Sequence, residues 1–563
     1  MSRNILFIMC DQLRWDYLAC AGHRRLRTPN LDALAARGVR FSRAYAQSTI
    51  CGSSRMSFYT GRYVQSHGAA WNNFPLRVGE WTLGDYMRPL GRQTVLVGKT
   101  HMAADAEGIA RLGIDPTSTI GVRVSECGFD PYERDDGLHG SGPDGRYDAR
   151  PVRYNEYLRN LGYAGDDGWD DWANAGEDDD GNLLSGWLLR NASRPARVAE
   201  EHSETPYMTR RATQFIDEAG DAPWCMHLSY IKPHWPCIAP APYHAMYGLQ
   251  DIPAVARSEA ERAAPHPVYR EFMNSRVSRA FSRDDVRNAV IPAYMGLITQ
   301  IDDQIGVLMR HLERRGLVGE TLIAFTSDHG DYLGDHWMGE KDLFHDPSVK
   351  IPLIVVDPSR EADSTRGSVC DALVEAIDLI PTFVQACGGA AQPHRLEGLA
   401  LQPWLHGYPP ERWRRFVVSE YDYSVTPAAK ALGVAPMDAR MFMIADERWK
   451  YVHAPGFRPM LHDLHNDPQE LVDLGADPRF ETQRQRMHEA LGRWGLRQSQ
   501  RTTRSEDEIV AMRGTSQRKG ILLGFWDESE LPDDLVPDKW RGALKRRVNE
   551  QRLRDSNVQV SEH

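Results

Sequence analysis

The chain contains four short runs of continuously apolar residues, separated by longer segments of mixed polarity. They extend from Asn4 to Cys10, Thr94 to Val97, Trp224 to Tyr230 and Thr321 to Ser327. Runs of this length are typical of parallel strands that are covered on both faces. The pattern therefore predicts a buried, mostly parallel central sheet.

Helical periodicity appears between these runs. Residues 31–38 predict a short helix that stops at Gly38, and the extended segment 39–45 follows it, so the beginning of the chain is βαβ-like. Apolar residues recur at helical spacing in 298–312, and 372–386 also has a helical pattern that ends at the Gly388-Gly389 break. We therefore expect an α/β fold with helices flanking the sheet.

The pattern of predicted elements changes after residue 395. The segments 416–421, 441–444 and 449–453 are short and β-rich, and the last two are separated by a turn at Asp446-Glu447. These segments predict a smaller antiparallel sheet in the C-terminal part of the chain.

The sequence predicts three regions: a catalytic domain over 1–395, a β-rich subdomain over 396–500 and an extension over 501–563. The catalytic domain contains an acidic insertion at about 133–197, which suits a lid or long loop. Within it, the GxGxxG match at 140–145 follows no apolar strand and is interpreted as a turn. The extension carries a basic amphipathic piece at 539–554, which we interpret as a solvated helix or a subunit contact in a homo-oligomer.

Composition narrows the functional class. The chain has 563 residues, of which 41% are hydrophobic and 26% charged, as in a large globular protein. It contains no apolar run near the ~20 residues needed to cross a bilayer, so we expect no membrane span and a cytoplasmic location. Eight cysteines without a CxxC pair argue against a disulfide framework. The net charge of −11 argues against nucleic-acid binding but leaves open a local anion pocket.

Two predicted strands end in a carboxylate that is followed by a second possible ligand. Asp11 precedes Gln12, and Asp328 precedes His329. Because the carboxyl ends of parallel strands share one edge of a sheet, these side chains can meet on a divalent cation. Each aspartate alone is more often a cap or turn former. Mixed oxygen and nitrogen ligands favour Mn²⁺ slightly over Ca²⁺.

The segment from Cys51 to Arg62 carries the most specific signal. Cys51 alone suits a small buried hydrophobe or a thiolate at a helix N-terminus. However, Cys-x-Ser-x-Arg followed by Thr60-Gly61-Arg62 resembles the signature of type I sulfatases, in which this cysteine is oxidised to formylglycine.

The resemblance extends over nearly the whole chain, with sulfatase-like blocks in family order at 28–34, 232–236, 326–336 and 461–468. The most similar branch is that of arylsulfatases and phosphonate monoester hydrolases within the alkaline phosphatase superfamily. It shares features found here at Asp11-Gln12, Asn72, 241–247 and 450–453. The resemblance implies an alkaline-phosphatase-like α/β core with a mostly parallel sheet, and a smaller C-terminal antiparallel sheet.

The resemblance also implies the site residues. The metal ligands would be Asp11, Gln12, Asp328, His329 and the side chain that replaces Cys51. Arg55 would position that side chain. The residues that would line the anion pocket are Asn72, Lys99, His101, His234 and Lys341.

Each implied residue has a physical role. One hydroxyl of the hydrated formylglycine would attack sulfur, and deprotonation of the other, by His101, would expel sulfate. Lys99 and Lys341 would offset the charge of the nonbridging oxygens, and His234, if protonated, would donate to the departing oxygen. A formylglycine-generating enzyme is the implied partner that modifies Cys51.

Substrate preference rests on four positions. Lys99 and His101 resemble sulfatases, whereas phosphonate monoester hydrolases have Tyr and Thr there, and Gln12 and His329 resemble the hydrolases. Residues that touch the transferred group discriminate transition states more than a metal ligand does, so sulfate monoesters are the first choice. Phosphonate monoesters or phosphodiesters are the alternative.

Aryl sulfates are favoured because three tryptophans flank the matched blocks, namely Trp71, Trp235 and Trp337, although ordinary packing explains each as well.

A different class of function is that of a non-enzymatic relative, in which Cys51 stays a thiol and the chain only binds metal or anions. Every matched catalytic position is occupied, which favours the enzyme.

Overall fold

The computed structural model describes residues 3–137, 153–165, 167–496, 503–513 and 526. One compact unit comprises 1–391 and 396–498, and a second comprises 392–395 and 499–563. In the described part of the second unit, helix Glu506–Met512 begins at Ser505, whose hydroxyl accepts the Glu508 N–H at 3.2 Å. The domain boundaries at 395 and 500 stay predictions.

The strands of the described residues are numbered in chain order. They are β1 (Asn4–Asp11), β2 (Val39–Tyr45), β3 (Gln93–Gly98), β4 (Asp130–Arg134), β5 (Ala175–Glu177), β6 (Leu183–Ser185), β7 (Trp224–Pro233), β8 (Thr321–Ser327), β9 (Lys350–Ile351), β10 (Leu353–Val356), β11 (Ser368–Glu375), β12 (Val417–Asp422), β13 (Arg440–Ala445), β14 (Trp449–His453) and β15 (Met460–Asp463).

Nine strands form the large sheet, in the order β11-β2-β10-β8-β1-β7-β3-β4, with β9 pairing to β2. The central strands β8, β1, β7, β3 and β4 run parallel, whereas β10 is antiparallel to both of its neighbours. Every residue of β1, β7 and β8 is buried, as the continuous apolar runs predict. The mostly parallel sheet of the predicted α/β fold is thus confirmed.

Helices cover both faces of this sheet. The α-helices of the described residues are α1 (Pro29–Arg37), α2 (Cys51–Thr60), α3 (Val64–His67), α4 (Leu83–Met87), α5 (Ala106–Arg111), α6 (Thr119–Ser125), α7 (Arg153–Asn160), α8 (Glu204–Ala219), α9 (Glu259–Ala263), α10 (Pro267–Met273), α11 (Arg276–Phe281), α12 (Asp284–Arg314), α13 (Asp346–Val349), α14 (Leu379–Ala386), α15 (Gln402–Leu405), α16 (Pro427–Leu432), α17 (Glu481–Leu496) and α18 (Glu506–Met512).

The two faces of the sheet have separate hydrophobic cores. On one face α1, α8 and α12 pack on Leu6 and Ile8 of β1; on the other, α2, α4 and α14 pack on Ile5 and Phe7. The alternation follows from the two-residue period of a strand. The face of α12 predicted from 298–312 is fully buried, and the helix begins earlier than predicted, at Asp284.

One expectation from the sequence is wrong. Residues 372–375 are not helical but complete β11, because Leu373 and Val374 pair in parallel with β2; α14 begins only at Leu379. Pairing across the sheet overrides the local pattern there. The strands β1 and β2 of the βαβ-like beginning belong to the same sheet, with β8 and β10 between them.

The predicted small sheet is confirmed as β12-β13-β14-β15, with all neighbours antiparallel. The Asp446 N–H donates to the Trp449 carbonyl at 2.9 Å, which closes the predicted turn. In the acidic insertion, the described residues form α7, a π-helical turn at Trp169–Ala173 and the hairpin β5-β6. The segments 140–145 and 539–554 lie outside the described residues.

All eight cysteines carry free thiols. Among the described helices, none combines the length and apolarity that crossing a bilayer requires.

Candidate active site

Four potential metal ligands meet at the carboxyl edge of the large sheet. Asp11 ends β1 and Asp328 follows β8, and the two strands are parallel neighbours. Cys51 is the first residue of α2, and His329 follows Asp328. All four side chains are buried, and one potential ligand atom of each lies within 4.8 Å of the others. The topology therefore brings together residues that are far apart in sequence.

The distances within this cluster suit a shared cation. Sγ of Cys51 lies 3.0 Å from Nε2 of His329 and 3.7 Å from Oδ1 of Asp11. Nε2 of His329 lies 3.7 Å from a carboxylate oxygen of both Asp11 and Asp328. Nδ1 of His329 donates to the Gly330 carbonyl at 2.9 Å, so Nε2 faces the cluster. Burial acts to lower the pKa of His329, but Asp328 and Cys51 raise it to about 9, so a bound cation has to displace the proton on Nε2. Two carboxylates and one imidazole fit a divalent ion such as Mn²⁺.

Gln12 lies beside the cluster in a left-handed backbone conformation, with φ 67°. Its backbone N–H donates to Oδ1 of Asp328 at 3.0 Å. Its side-chain Nε2 donates to Oδ2 of Asp331 at 2.5 Å, and Oε1 is 3.5 Å from Nζ of Lys341. The amide is thus oriented by two partners, and its role as a metal ligand stays a prediction.

Arg55 ties the two carboxylates together from α2. Its side chain is fully buried, with Nε 2.8 Å from Oδ2 of Asp328 and an Nη 3.3 Å from Oδ2 of Asp11. The other Nη donates to the Lys99 carbonyl at 2.9 Å and to the Ser229 hydroxyl at 2.8 Å. Burial acts to lower the pKa of Arg55, but Asp328 and Asp11 hold it well above its usual value. Its contacts therefore fix the acids rather than residue 51 directly.

Lys99, which follows β3, completes the charge balance. Its Nζ lies 2.6 Å from Oδ2 of Asp11. Burial acts to raise the pKa of Asp11, but Lys99, His234 and Arg55 lower it well below the usual value. Asp11 is therefore ionised, as a cation ligand must be.

A cavity of about 700 Å³ opens beside this cluster. The five residues predicted to surround the anion all line it: Asn72, Lys99, His101, His234 and Lys341. Asn72 is held by the N–H of Gly52, which donates to its Oδ1 at 2.8 Å. A Cβ at Gly52 would lie 2.9 Å from that oxygen, so glycine permits the close approach. The predicted site residues thus form one connected set.

His234 and Lys341 face each other, with 3.5 Å between Nε2 and Nζ. Nδ1 of His234 donates to the Trp235 carbonyl at 2.8 Å, so the neutral ring offers its Nε2 lone pair to the ammonium. Burial lowers the pKa of His234 well below its usual value, and Lys99 and Lys341 add to this although Asp11 opposes them. The imidazole is therefore neutral at neutral pH in the free protein.

His101 is the second neutral imidazole of the cavity. Its backbone is in the left-handed region, with φ 54°, and its backbone N–H donates to Oδ1 of Asp136 at 3.3 Å. Burial and Lys99 lower its pKa well below the usual value. Its Nδ1 is buried and has no hydrogen-bond partner. A neutral ring with an unpaired nitrogen can accept a proton.

Aromatic side chains form much of the remaining wall. Trp71 and Trp235 line the cavity, as their positions beside the matched segments suggested. Trp337 is not among the described lining residues; its ring lies under Arg257 and Arg262, at 4.3 and 4.7 Å. Trp187, from the acidic insertion, also lines the cavity.

The sequence did not indicate three residues of this region: Ser229, Asp331 and Trp187. Asp331 completes the Asp-His-Gly-Asp run and could have been found there, because its carboxylate orients Gln12. Ser229 lies inside an apolar strand and Trp187 in an insertion, so neither carries a local signal.

Two family models match the chain. The model described as Sulfatase matches residues 3–389, and the model described as N-sulphoglucosamine sulphohydrolase, C-terminal, matches residues 334–496.

Curated relatives align over most of the chain. The multifunctional alkaline phosphatase superfamily protein PehA of Trinickia caryophylli is 30% identical, with 85% of this chain and 92% of that protein covered. An arylsulfatase of Clostridium perfringens is 26% identical, with 84% and 90% covered.

Solved structures of similar fold include two phosphonate monoester hydrolases. The enzyme of Silicibacter pomeroyi has a TM-score of 0.78 at 29% identity, over 89% of this chain and 96% of that one. The enzyme of Agrobacterium radiobacter has a TM-score of 0.75 at 28% identity, over 88% and 95%.

Proposed function

Because this chain belongs to the sulfatase family, we propose that it hydrolyses sulfate monoesters, with residue 51 as the nucleophile after oxidation of Cys51 to formylglycine. The observation that carries the proposal is the position of residue 51. Cys51 is one of the buried candidate metal ligands, and its neighbour Ile50 lines the cavity together with two lysines and two neutral histidines. Nucleophile, cation ligands and anion-binding groups thus share one site.

The proposed metal ligands are Asp11, Asp328, His329 and the modified residue 51, with Gln12 as the remaining candidate. A divalent ion held there supplies Lewis acidity that makes a hydroxyl on residue 51 a better nucleophile. Mixed oxygen and nitrogen ligation supports Mn²⁺ as the first choice and Ca²⁺ as the second. Arg55 and Lys99 keep both carboxylates ionised and fixed.

Lys99 and Lys341 bind the transferred group. Burial acts to lower the pKa of each amine, but Asp11 and Cys51 are among the neighbours that raise it above the usual value, so both ammonium groups are charged. Two buried cations offset the charge on the nonbridging oxygens of a sulfate ester. Helix α2 begins at Cys51, which belongs to the same site.

His101 is proposed as the base that takes a proton from a hydroxyl at residue 51. Its ring is neutral and has a nitrogen without a partner, which is the state that this step requires.

His234 is proposed as the donor to the departing alcohol oxygen. In the free protein its Nε2 carries a lone pair, so it must first gain a proton at that atom. A bound anion opposes the effect of Lys99 and Lys341 and thereby raises the pKa of His234. Lys341 lies 3.5 Å from Nε2 and stays charged, so the proton comes from solvent.

Conversion of Cys51 requires a second protein. Cys51 and every other residue of α2 are buried, so an enzyme can reach the thiol only before the helix packs. The proposed partner is therefore a formylglycine-generating enzyme that acts on the unfolded chain. A homo-oligomer through the 501–563 extension stays a proposal from the sequence.

The second candidate function is hydrolysis of phosphonate monoesters or phosphodiesters. It is supported by the two phosphonate monoester hydrolases of similar fold. Sulfate monoesters and phosphonate monoesters each present a single negative charge, so activity on both is expected.

A comparison of kcat/KM on p-nitrophenyl sulfate and p-nitrophenyl phenylphosphonate tests the ranking. The leaving group is the same, so the ratio reports the transferred group. We expect the sulfate to be preferred, because Lys99 is assigned to the transferred group and His101 to the hydroxyl of residue 51, and both residue types resemble those of sulfatases. A large preference for the phosphonate would reverse the ranking.

A further inference from the structure

Trp187 is an exposed aromatic side chain that is nevertheless firmly held. It is 39% exposed and lines the cavity beside the catalytic cluster. Its indole N–H donates to Oδ1 of Asp170 at 3.0 Å, and its ring centroid lies 6.2 Å from that of the buried Trp169. Large apolar rings at a cavity wall are characteristic of ligand sites.

The loop that carries Trp187 is fixed on both sides. The N–H of Gly186 donates to the Asn174 carbonyl at 2.9 Å, and the N–H of Trp187 donates to Oγ of Ser185 at 3.3 Å. A Cβ at Gly186 would lie 2.3 Å from the Asn174 carbonyl oxygen, so the close approach depends on glycine. A ring placed in advance loses little conformational freedom when a ligand covers it.

The cavity is much larger than the transferred group requires. Its volume of about 700 Å³ falls within the ~300–1,000 Å³ range of pockets that hold drug-sized ligands. A sulfate group with a single ring fills only a small part of such a volume. The alcohol half of the substrate therefore has room for two or more rings.

The lining favours an aromatic alcohol over a polyhydroxylated one. Trp71, Trp235 and Phe272 line the cavity together with Trp187. Each carboxylate among the described lining residues has at least one protein partner, and one of their oxygens, Oδ2 of Asp135, is buried without a partner. These pairs are Asp135 with the Gly137 N–H, Asp136 with the Thr100 N–H, Glu340 with Lys341, and Asp342 with the Tyr421 hydroxyl.

We propose that Trp187 forms a leaving-group subsite, which stacks against the outer ring of an extended aromatic alcohol of at least two rings. This rests on the proposed function, because it specifies the alcohol half of the sulfate ester. The inner part of the ester lies against the lysines, and its outer ring lies against the indole.

Phenyl sulfate and biphenyl-4-yl sulfate test the subsite, because their leaving alcohols are similar in acidity and differ by one ring. We expect the wild type to prefer the biphenyl ester in kcat/KM. Trp187→Ala should reduce that preference by about fivefold, which is within the range of single aromatic contacts, and leave phenyl sulfate within about twofold of wild type. Trp187→Phe should restore most of the preference.

The matched control is Leu188→Ala. Leu188 is the next residue, is 52% exposed and is not among the described lining residues. This variant should keep the wild-type preference. An equal preference in wild type and Trp187→Ala would overturn the proposal, as would a loss in Leu188→Ala as large as in Trp187→Ala.

Binding of the free alcohol separates this proposal from the proposed function. In calorimetric titrations, 4-phenylphenol should bind wild type about fivefold more tightly than Trp187→Ala, whether or not any ester is hydrolysed. Absence of hydrolysis with this binding difference intact would defeat the proposed function alone. Hydrolysis with equal binding would defeat the subsite alone. A larger loss in Trp187→Ala on N-acetylglucosamine 6-sulfate than on the biphenyl ester would overturn the aromatic assignment.

Discussion

Nζ of Lys99 lies 2.6 Å from Oδ2 of Asp11, and both side chains are buried at the carboxyl edge of the sheet. Their strands, β3 and β1, are separated by β7, so the pair spans the sheet edge. Asp11 belongs to the metal-ligand set, and Lys99 lines the cavity. This ion pair therefore connects the cation site to the anion site.

Lys99→Ala should reduce kcat/KM on p-nitrophenyl sulfate by about 100-fold or more, because a preorganised cation that offsets the charge of the nonbridging oxygens is lost. Steady-state kinetics measure the loss. Lys430→Ala is the control, since Lys430 is exposed on α16, and it should keep wild-type activity. Activity of Lys99→Ala near that of the control would refute the role of Lys99.

Arg55→Ala should lower the free energy of unfolding by about 3–5 kcal/mol, because Asp11 and Asp328 lose a buried counter-charge. Urea unfolding measures the change. In Arg77→Ala the loss should stay below about 0.5 kcal/mol, since the Arg77 side chain is 70% exposed. An equally small loss of unfolding free energy in Arg55→Ala would show that the contacts of Arg55 with Asp11 and Asp328 do not stabilise the protein.

His227 should make the fold sensitive to acid. Burial, with a smaller effect of Arg55, lowers its pKa to about 3, below the ~6.5 of an unfolded histidine. Between these values the unfolded chain gains a proton that the folded protein excludes, so stability is complete above pH ~6.5 and falls as pH drops. The loss from this residue is about 2 kcal/mol at pH ~5.

His227→Gln cannot titrate in this range and should lose about 2 kcal/mol less than wild type between pH ~6.5 and ~5. Urea unfolding of both proteins at the two pH values gives the difference. The comparison uses changes with pH, so any constant cost of the substitution cancels. Identical losses would mean that His227 is protonated in the folded protein.

Removal of divalent ions by a chelator should abolish hydrolysis while the protein stays folded. Arg55 and Lys99 still pair with both carboxylates without an ion, so the buried charges remain compensated. Activity assays and circular dichroism follow the two properties. Added Mn²⁺ should restore wild type but not Asp328→Asn. Full activity in protein shown to be free of metal would contradict the metal role.

Much of the fold follows from local sequence patterns. The buried runs that become β1, β7 and β8 have no polar interruption, and their parallel pairing places Asp11 beside Asp328. The end of β11 was missed because residues 372–375 have a helical pattern, and only pairing with β2 makes them extended.

The site was predictable only in part. The motif at Cys51 and the two strand ends indicate the metal cluster, because motif spacing and sheet topology are both expressed in sequence. The contacts of Arg55 with Ser229 and the tautomer of His234 depend on tertiary packing. Trp187 reaches the cavity from an insertion whose folding no local pattern indicates.

The mass of the tryptic peptide 44–55 from active protein tests the central claim most directly. Conversion of the Cys51 thiol to the aldehyde removes roughly 18 Da from this peptide, by atomic bookkeeping on the cysteine side chain. We expect the lighter peptide in protein made alongside a formylglycine-generating enzyme, with activity proportional to its fraction and none in Cys51→Ala. Full activity in protein whose peptide carries only the unmodified thiol would contradict the account.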